Sequence, residues 1–267
     1  MKLCLRQKVA GLPRSPAPME YVVRAWDYVL SDEHYLNEEV DTVPYVPFVP
    51  EDFGVELTAE SRVLDVGCLG GHGLYDFAGA RHAQSRPVPR LVGVDISTVP
   101  LTVARDFAGE WAGDGSAGFC AAVCEALPFR DASFDLVILR LVLPYVLIDR
   151  SLTEVSRVLR PGGLAFCQLH STRYYLRSMV QAARHVRRPS DLRRILYYAK
   201  PPLSQALFVL TGYQPRHRWL RQTAMSPRTL RRLAPRYDLH PVWEGRFTLK
   251  PQVLLRKGQA TDGVSCL

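Results

Sequence analysis

The sequence predicts an α/β fold built on a mostly parallel sheet with helices on both faces. Three observations carry that prediction. Short β-rich apolar runs alternate with segments that can be helical, the grammar of strand–helix–strand units. The runs are continuously apolar rather than alternating, as strands buried on both faces are. Glycine and proline punctuate them, in VGCLGG after the first run and RPGG before the fifth.

Taken in order, residues 1–18 hold three prolines and no hydrophobic period, which reads as a loose arm. Met19–Leu36 can be helical, with Tyr21, Val22, Ala25, Val29 and Leu30 near one stripe. VDTVPYVPFVPEDF has Pro44, Pro47 and Pro50 at intervals of three and is expected to be an extended connector. The strand runs then follow: RVLDVG from Arg62, LVGVDI from Leu91, GFCAAVC from Gly118, FDLVILR from Phe134 and GLAFCQLH from Gly163. Leu74–Ala80, Val99–Trp111 and Arg150–Leu159 are the helical segments between them. From Ser171 to Arg221 helical stretches are expected to break at Pro189, Pro201, Pro202 and Pro215. SPRTLRRLA reads as a helix capped by Ser226, with proline at its first position. Two further strands are expected around Asp238–Phe247 and Gln252–Arg256, where Pro241 suits only an edge or a bulge. No internal repeat is found. The domain reading is an arm and cover over 1–60, a cofactor-binding core over 61–170 and a lid insertion over 171–221. The final core elements occupy 222–258 and a tail 259–267.

Composition bounds the function. With 267 residues, 47% hydrophobic and 22% charged, the chain is one large globular domain or two small ones. That excludes a disordered, coiled-coil or collagen-like chain. The net charge is +8, unevenly spread. His170 to Lys257 holds 19 Lys/Arg and 3 Asp/Glu, or +16, and the remainder holds 15 and 23, or −8. Cys4, Cys68, Cys120, Cys124, Cys167 and Cys266 form no CxxC pair and no zinc-finger spacing with histidine. They read as reduced thiols, three of them on apolar strands, and no metal site is expected. No apolar run approaches the roughly 20 residues that span a bilayer, and the N-terminus is too polar for a signal-peptide core. The expectation is a cytoplasmic protein.

The chemistry lies in VLDVGCLGG, Val63–Gly71, at a strand–loop–helix junction, with Asp95 ending the next strand. A glycine-rich turn lets a ligand approach the backbone closely. An acid at the second strand's end can accept two hydrogen bonds from a ribose diol. A dinucleotide site would read GxGxxG, whereas this loop reads DxGxxGG. Its acid would repel a pyrophosphate and suits a ligand with a cationic amino group.

Five blocks occur in order over about a hundred residues: LDVGCLGG (64–71), GVDIS (93–97), CEALPF (124–129), FDLVILRLVLPYV (134–146) and EVSRVLRPGG (154–163). In these the chain resembles the class I S-adenosylmethionine-dependent methyltransferases, specifically their small-molecule, natural-product-like subgroup. The resemblance implies a Rossmann-like, seven-stranded, mostly parallel sheet with an N-terminal helical cover and a helical lid after the fifth strand. It implies S-adenosylmethionine as cofactor. Asp65 and Gly67 would face its methionine part, and Gly71 would close the turn. Asp95 would hold the ribose hydroxyls and Ile96 would lie against adenine. Cys124 and Leu139 would make contact through backbone or side chain.

Three positions depart from the family pattern. Leu69 stands where a glycine is usual. Val123 stands where an acid usually pairs with the adenine amino group. Tyr145 stands where many members have histidine. Glu125 reads better as a surface helix cap or salt bridge than as a ligand contact.

Methyl transfer from a sulfonium is an in-line displacement. It needs alignment and water exclusion, and a base only if the acceptor must lose a proton. His170, ending the fifth run, is the base candidate, because ligands of open α/β sheets lie outside the strands' carboxyl ends. Its competing reading is a structural histidine or lid hinge. Tyr145 is a weaker catalytic candidate and suits packing or substrate shaping. Tyr174 and Tyr175 can line an aromatic acceptor site or pack a helix. Arg177 and its neighbours suit a carboxylate or phosphate on the acceptor or its carrier. His34 and Tyr35 could close over the cofactor.

The function this implies is methyl transfer to a small molecule, through oxygen in secondary metabolism. The acceptor would be anionic or carried on an acidic protein. One competing reading is an RNA methyltransferase using the basic last third, although no NPPY-type acceptor motif follows the fourth strand. Another is a non-catalytic module that keeps the fold.

Overall fold

The computed structural model describes residues 49–112, 117–170, 172–188, 192–214, 222–245 and 251–259. The expected helix at Met19–Leu36, with His34 and Tyr35, lies outside them, as do Cys4 and Cys266. The chain divides into two compact units, Met1–Ala122 and Val123–Leu267.

In the first unit Pro50–Phe53 is a 3₁₀ turn, not the end of an extended connector. Proline's fixed φ suits the first position of such a turn, and Gly54 closes it at φ 69°. Strand β1 (Arg62–Val66) leads into helix α1 (His72–Ala83), β2 (Arg90–Asp95) into α2 (Thr98–Ala112), and β3 (Ala117–Ala121) follows. β1 pairs with β2 and β2 with β3, both parallel. Val63, Leu64, Leu91 and Val94 are buried, as continuous apolar runs require. Buried Arg81 on α1 ties the unit together. It donates from Nε to the Pro87 carbonyl and from Nη2 to the Leu57 carbonyl and Glu51.

The second unit holds β4 (Phe134–Arg140), a 3₁₀ turn at Leu143–Tyr145, α3 (Ile148–Val158) and β5 (Leu159–Gln168). Helices α4 (Thr172–Arg184) and α5 (Leu192–Thr211) come next, then α6 (Pro227–Leu233), β6 (Leu239–Gly245) and β7 (Gln252–Lys257). β4 and β5 are parallel, while β7 runs antiparallel to both β5 and β6. The strands are ordered β3-β2-β1 in the first unit and β4-β5-β7-β6 in the second, seven in all and mostly parallel, as in a Rossmann-like fold. RPGG lies within the bounds of β5 as a bulge rather than before it, with Gly162 at φ 79°. Pro241 sits on the terminal strand beside a register shift, which satisfies both of its expected placements. Ser226 caps α6, its Oγ accepting from the Thr229 N–H at 3.1 Å.

One expectation fails in the second unit. Helix α5 runs through Pro201 and Pro202 instead of breaking there. Each proline removes one main-chain donor from the helix, a defect costing about 3 kcal/mol in an isolated helix. Here the tertiary surroundings hold it. Pro201 is buried, and its carbonyl accepts from the Ala224 N–H at 3.1 Å. Buried Ser204 and Thr223 bond to each other at 2.7 Å, and Gln222 donates to the Tyr197 hydroxyl at 2.9 Å.

Candidate functional site

In the first unit the site is the loop between β1 and α1. Gly67 and Gly71 adopt φ 75° and 76°, and Leu69 adopts 48°. The departure noted at Leu69 thus has a conformational meaning. The backbone there is left-handed, which a glycine enters freely and a leucine enters at about 1–2 kcal/mol. The loop is pinned on all sides. The N–H groups of Gly67 and Cys68 both donate to the Val94 carbonyl, at 2.8 and 3.0 Å, and Gly71 donates to the Cys68 carbonyl at 2.9 Å. The Leu69 N–H donates to Asp95 Oδ2 at 2.9 Å, and the Ser97 N–H donates to Asp95 Oδ1 at 2.9 Å. One carboxylate therefore fixes both the glycine loop and the start of the next helix.

The two glycines that face this loop are dictated by space. A Cβ on Gly93 would come within 2.6 Å of the Phe119 ring and 2.7 Å of Cys68 Sγ. A Cβ on Gly71 would meet the same ring at 3.0 Å. Asp65 and Asp95 are 2% and 7% exposed, so two acids are held nearly out of water. Burial, with Asp65 and Asp95 close by, pushes the Cys68 thiol well up, so it stays neutral. Immediately after Asp95, Ile96 is 77% exposed. An apolar side chain in water beside a buried carboxylate fits the stacking of a flat apolar ring next to a diol.

The loop fits S-adenosylmethionine on these grounds. An ionised carboxylate has about four acceptor sites. Asp95 spends two on backbone N–H groups, which leaves capacity for a ribose diol. Asp65 supplies negative charge where a cationic amino group would lie.

In the second unit, Cys124 and Leu139 are buried, so their side chains are shielded and their main chain is what they can offer a ligand. Cys124 lies beyond the end of β3, in a turn rather than on a strand, and Cys68 is likewise in a loop. Burial pushes the thiols of Cys124 and Cys167 up to about 12. The four described cysteines are free thiols. Val123 is partly exposed and bridges to Ala126. Glu125 Oε1 accepts from the N–H of Leu147, the residue that precedes α3, at 2.8 Å, which fits a structural role there.

The CEALPF and EVSRV blocks prove to be clamped to each other. Glu154 Oε2 accepts from the Leu127 N–H at 2.8 Å. Arg157 donates to the carbonyls of Phe129 and Leu127 at 2.7 and 3.0 Å, and to Glu154 and Asp131 at 2.7 Å. The Arg157 partnership holds the Glu154 carboxyl below its ordinary range.

Past β5, His170 is 3% exposed. Its ring stacks on Tyr174 at 4.4 Å and 24° and meets Tyr175 edge-on at 5.8 Å. Tyr174 and Tyr175 are 5.3 Å apart. The structure therefore brings three of the acceptor-side candidates into one aromatic cluster at the carboxyl end of β5. Arg177 is exposed on α4 and does not join it, and Tyr145 is exposed on its 3₁₀ turn.

One group escaped the sequence reading. In-register Arg140, Gln168 and Gln252 form a polar row across β4, β5 and β7, and Arg140 Nε donates to Gln168 Oε1 at 2.9 Å. Both glutamines are fully buried. The only hint in the sequence was a polar residue at the end of an apolar strand. No cluster of metal ligands is found among the described residues.

Comparisons with known proteins fit this geometry. Residues 64–167 match the model of the methyltransferase domain. The chain is 40% identical over 116 residues to a ubiquinone/menaquinone biosynthesis C-methyltransferase of Geobacter sulfurreducens, covering 42% of each chain. It is 35% identical over 115 residues to the O-methyltransferase cnsE of Penicillium expansum, covering 42% of this chain and 40% of that one. It spans less than half the length of these curated relatives. Among solved structures it is similar to an S-adenosylmethionine-dependent methyltransferase of Methanosarcina mazei. That likeness has a TM-score of 0.51 and 18% identity, over 79% of this chain and 99% of that one. PKMT2 of Rickettsia typhi gives a TM-score of 0.53 at 16% identity, over 79% and 52%. These structures share the fold.

Proposed function

We propose that this chain, built around a methyltransferase domain, transfers the methyl group of S-adenosylmethionine to an oxygen of a small-molecule acceptor, as secondary metabolism requires. The observation that carries the reading is the Asp95 carboxylate, which gathers the Leu69 and Ser97 N–H groups and orders the glycine loop of a matching domain. When bound, the cofactor supplies an electrophilic methyl already activated by the sulfonium charge.

The chain's residues have the following parts. Asp65 attracts the cationic amino group, and Gly67 and Gly71 let the backbone approach. Asp95 holds the ribose diol and Ile96 covers adenine. The main chain at Cys124 and Leu139 completes the contact. No acid stands at Val123 to bind the adenine amino group. On the acceptor side, half-buried Tyr174 takes the planar acceptor, and buried Tyr175 backs it edge-on. His170 takes the proton of its hydroxyl at an imidazole nitrogen, and Tyr145 shapes the acceptor. Burial of His170 keeps water from competing for that proton. Arg177 draws an anionic or carrier-bound acceptor from solvent.

Incubation with methyl-labelled S-adenosylmethionine and a panel of phenolic and enolic compounds tests this. Label is expected in a small molecule. Label in tRNA instead, with salt-sensitive tRNA binding, would establish the RNA reading. For the base, His170→Phe keeps a ring against Tyr174 while removing the proton acceptor. Its kcat should fall roughly 10²–10⁴-fold with cofactor affinity unchanged. An unchanged kcat would reduce His170 to a packing residue.

A further inference from the structure

We infer that the α4–α5 hairpin docks on an anionic lipid bilayer surface. Residues 172–214, apart from Asp191, contain no Asp or Glu, against eight Lys/Arg. A strongly basic surface normally mixes charge with polar residues. This one carries apolar side chains outward. On α5, Leu192, Leu196, Leu203 and Leu210 recur at helical intervals of four, seven and seven, which puts them on one stripe. Leu196, Leu203 and Leu210 are 57%, 63% and 83% exposed, and Leu192 is exposed too. The stripe is about 27 Å long at 1.5 Å per residue. The helix buries a different face, bearing Pro201, Ser204 and Phe208. On α4, which packs against α5, exposed Leu176 and Val180 lie one turn apart. Arg173, Arg177 and Arg184 are exposed beside them at three- and four-residue spacings. Val186 and Arg187 continue the pattern in the connection.

Charge and hydrophobicity together select the occupant. Exposed apolar surface of this extent is uncommon on a monomer. A second copy of the hairpin would bring eight like charges against eight, which disfavours self-association. Nucleic acid would meet the arginines but offers nothing to four leucines, since bases stack on aromatic rings. A bilayer surface rich in anionic headgroups satisfies both. Leucines enter the acyl boundary while arginines stay at the phosphates. No described helix is long and apolar enough to cross a membrane, so the contact is made in the interface plane.

The test is vesicle co-sedimentation of the full chain, which needs no cofactor or acceptor and is therefore independent of the methyl-transfer reading. Vesicles of phosphatidylcholine with about a third phosphatidylglycerol should bind the chain at least roughly tenfold more tightly than pure phosphatidylcholine, and about 0.5 M salt should remove most of that difference. The triple variant Leu196→Gln, Leu203→Gln, Leu210→Gln should lose roughly tenfold or more in binding with unchanged circular dichroism. So should Arg173→Gln, Arg177→Gln, Arg184→Gln, which leaves the leucines in place. Equal binding to both vesicle types, or binding unmoved by either variant, overturns the proposal. It is equally overturned if the wild-type chain sediments as a dimer that the leucine variant dissociates, or retards tRNA in preference to binding vesicles.

Discussion

The glycine loop after β1 and the hairpin α4–α5 are built on opposite rules. In the loop the charged groups are inside, with Asp65 and Asp95 nearly sealed from water, and backbone donors are directed at a carboxylate or a carbonyl. In the hairpin the apolar groups are outside, and the buried face of α5 is partly polar, with Ser204 bonded to Thr223. The loop's order comes from backbone hydrogen bonds to Val94 and Asp95 on the neighbouring strand and from the Phe119 ring filling the space where a Cβ would go. The hairpin's order comes from contacts to residues 222–224, outside any strand or helix, which carry α5 through two prolines. A binding loop must hold a fixed shape before its ligand arrives, so it tolerates little change. A surface helix can be altered outward without loss of fold.

Four substitutions would test that contrast. Gly71→Ala should have the largest effect. It places a Cβ against Phe119 in left-handed backbone and should cost about 2–3 kcal/mol, read by thermal denaturation. A hairpin change such as Leu203→Gln should move the same transition by about 0.5 kcal/mol or less. Glu154→Gln comes next. It breaks the clamp between α3 and the 127–129 loop and should cost about 1–2 kcal/mol. It also has a pH signature. Hydrogen bonding to Arg157 holds the folded Glu154 carboxyl below its unfolded value of 4.5. Its stabilisation is therefore complete above that value and is lost as pH falls through the folded one. Acid denaturation curves of wild type and variant should converge below it. Leu69→Gly should have the smallest effect of the changes at the loop and the clamp. It relieves about 1–2 kcal/mol of left-handed strain but adds about 1 kcal/mol of unfolded-chain entropy, a net gain of about 1 kcal/mol or less. A large loss would mean that the Leu69 side chain, not its backbone, holds the loop.

The strands and the glycine turn were legible because the sequence marks them locally, although the loop's hydrogen-bond partners, Val94 and Asp95, stand on the next strand. Continuous apolar runs, a glycine-rich turn and Ser226 before Pro227 each specify backbone within a few residues. Leu69 was legible as a departure, and the structure turns it into a positive φ. Helix α5 was not legible, because the proline pair argues locally against a helix that distant residues 222–224 support. The row Arg140–Gln168–Gln252 was hidden because it exists only once β4, β5 and β7 are paired in register. The His170–Tyr174 stack was half legible: adjacency in sequence suggested a shared region, while the ring geometry needed the turn into α4.

We propose that the Asp95 carboxylate builds the cofactor site, and calorimetry with S-adenosylhomocysteine is the decisive measurement. Wild type should bind, and Asp95→Ala should lose roughly a hundredfold or more in affinity, since it removes both the diol's acceptor and the tether of Leu69 and Ser97. Binding by the folded variant at wild-type affinity would contradict the account.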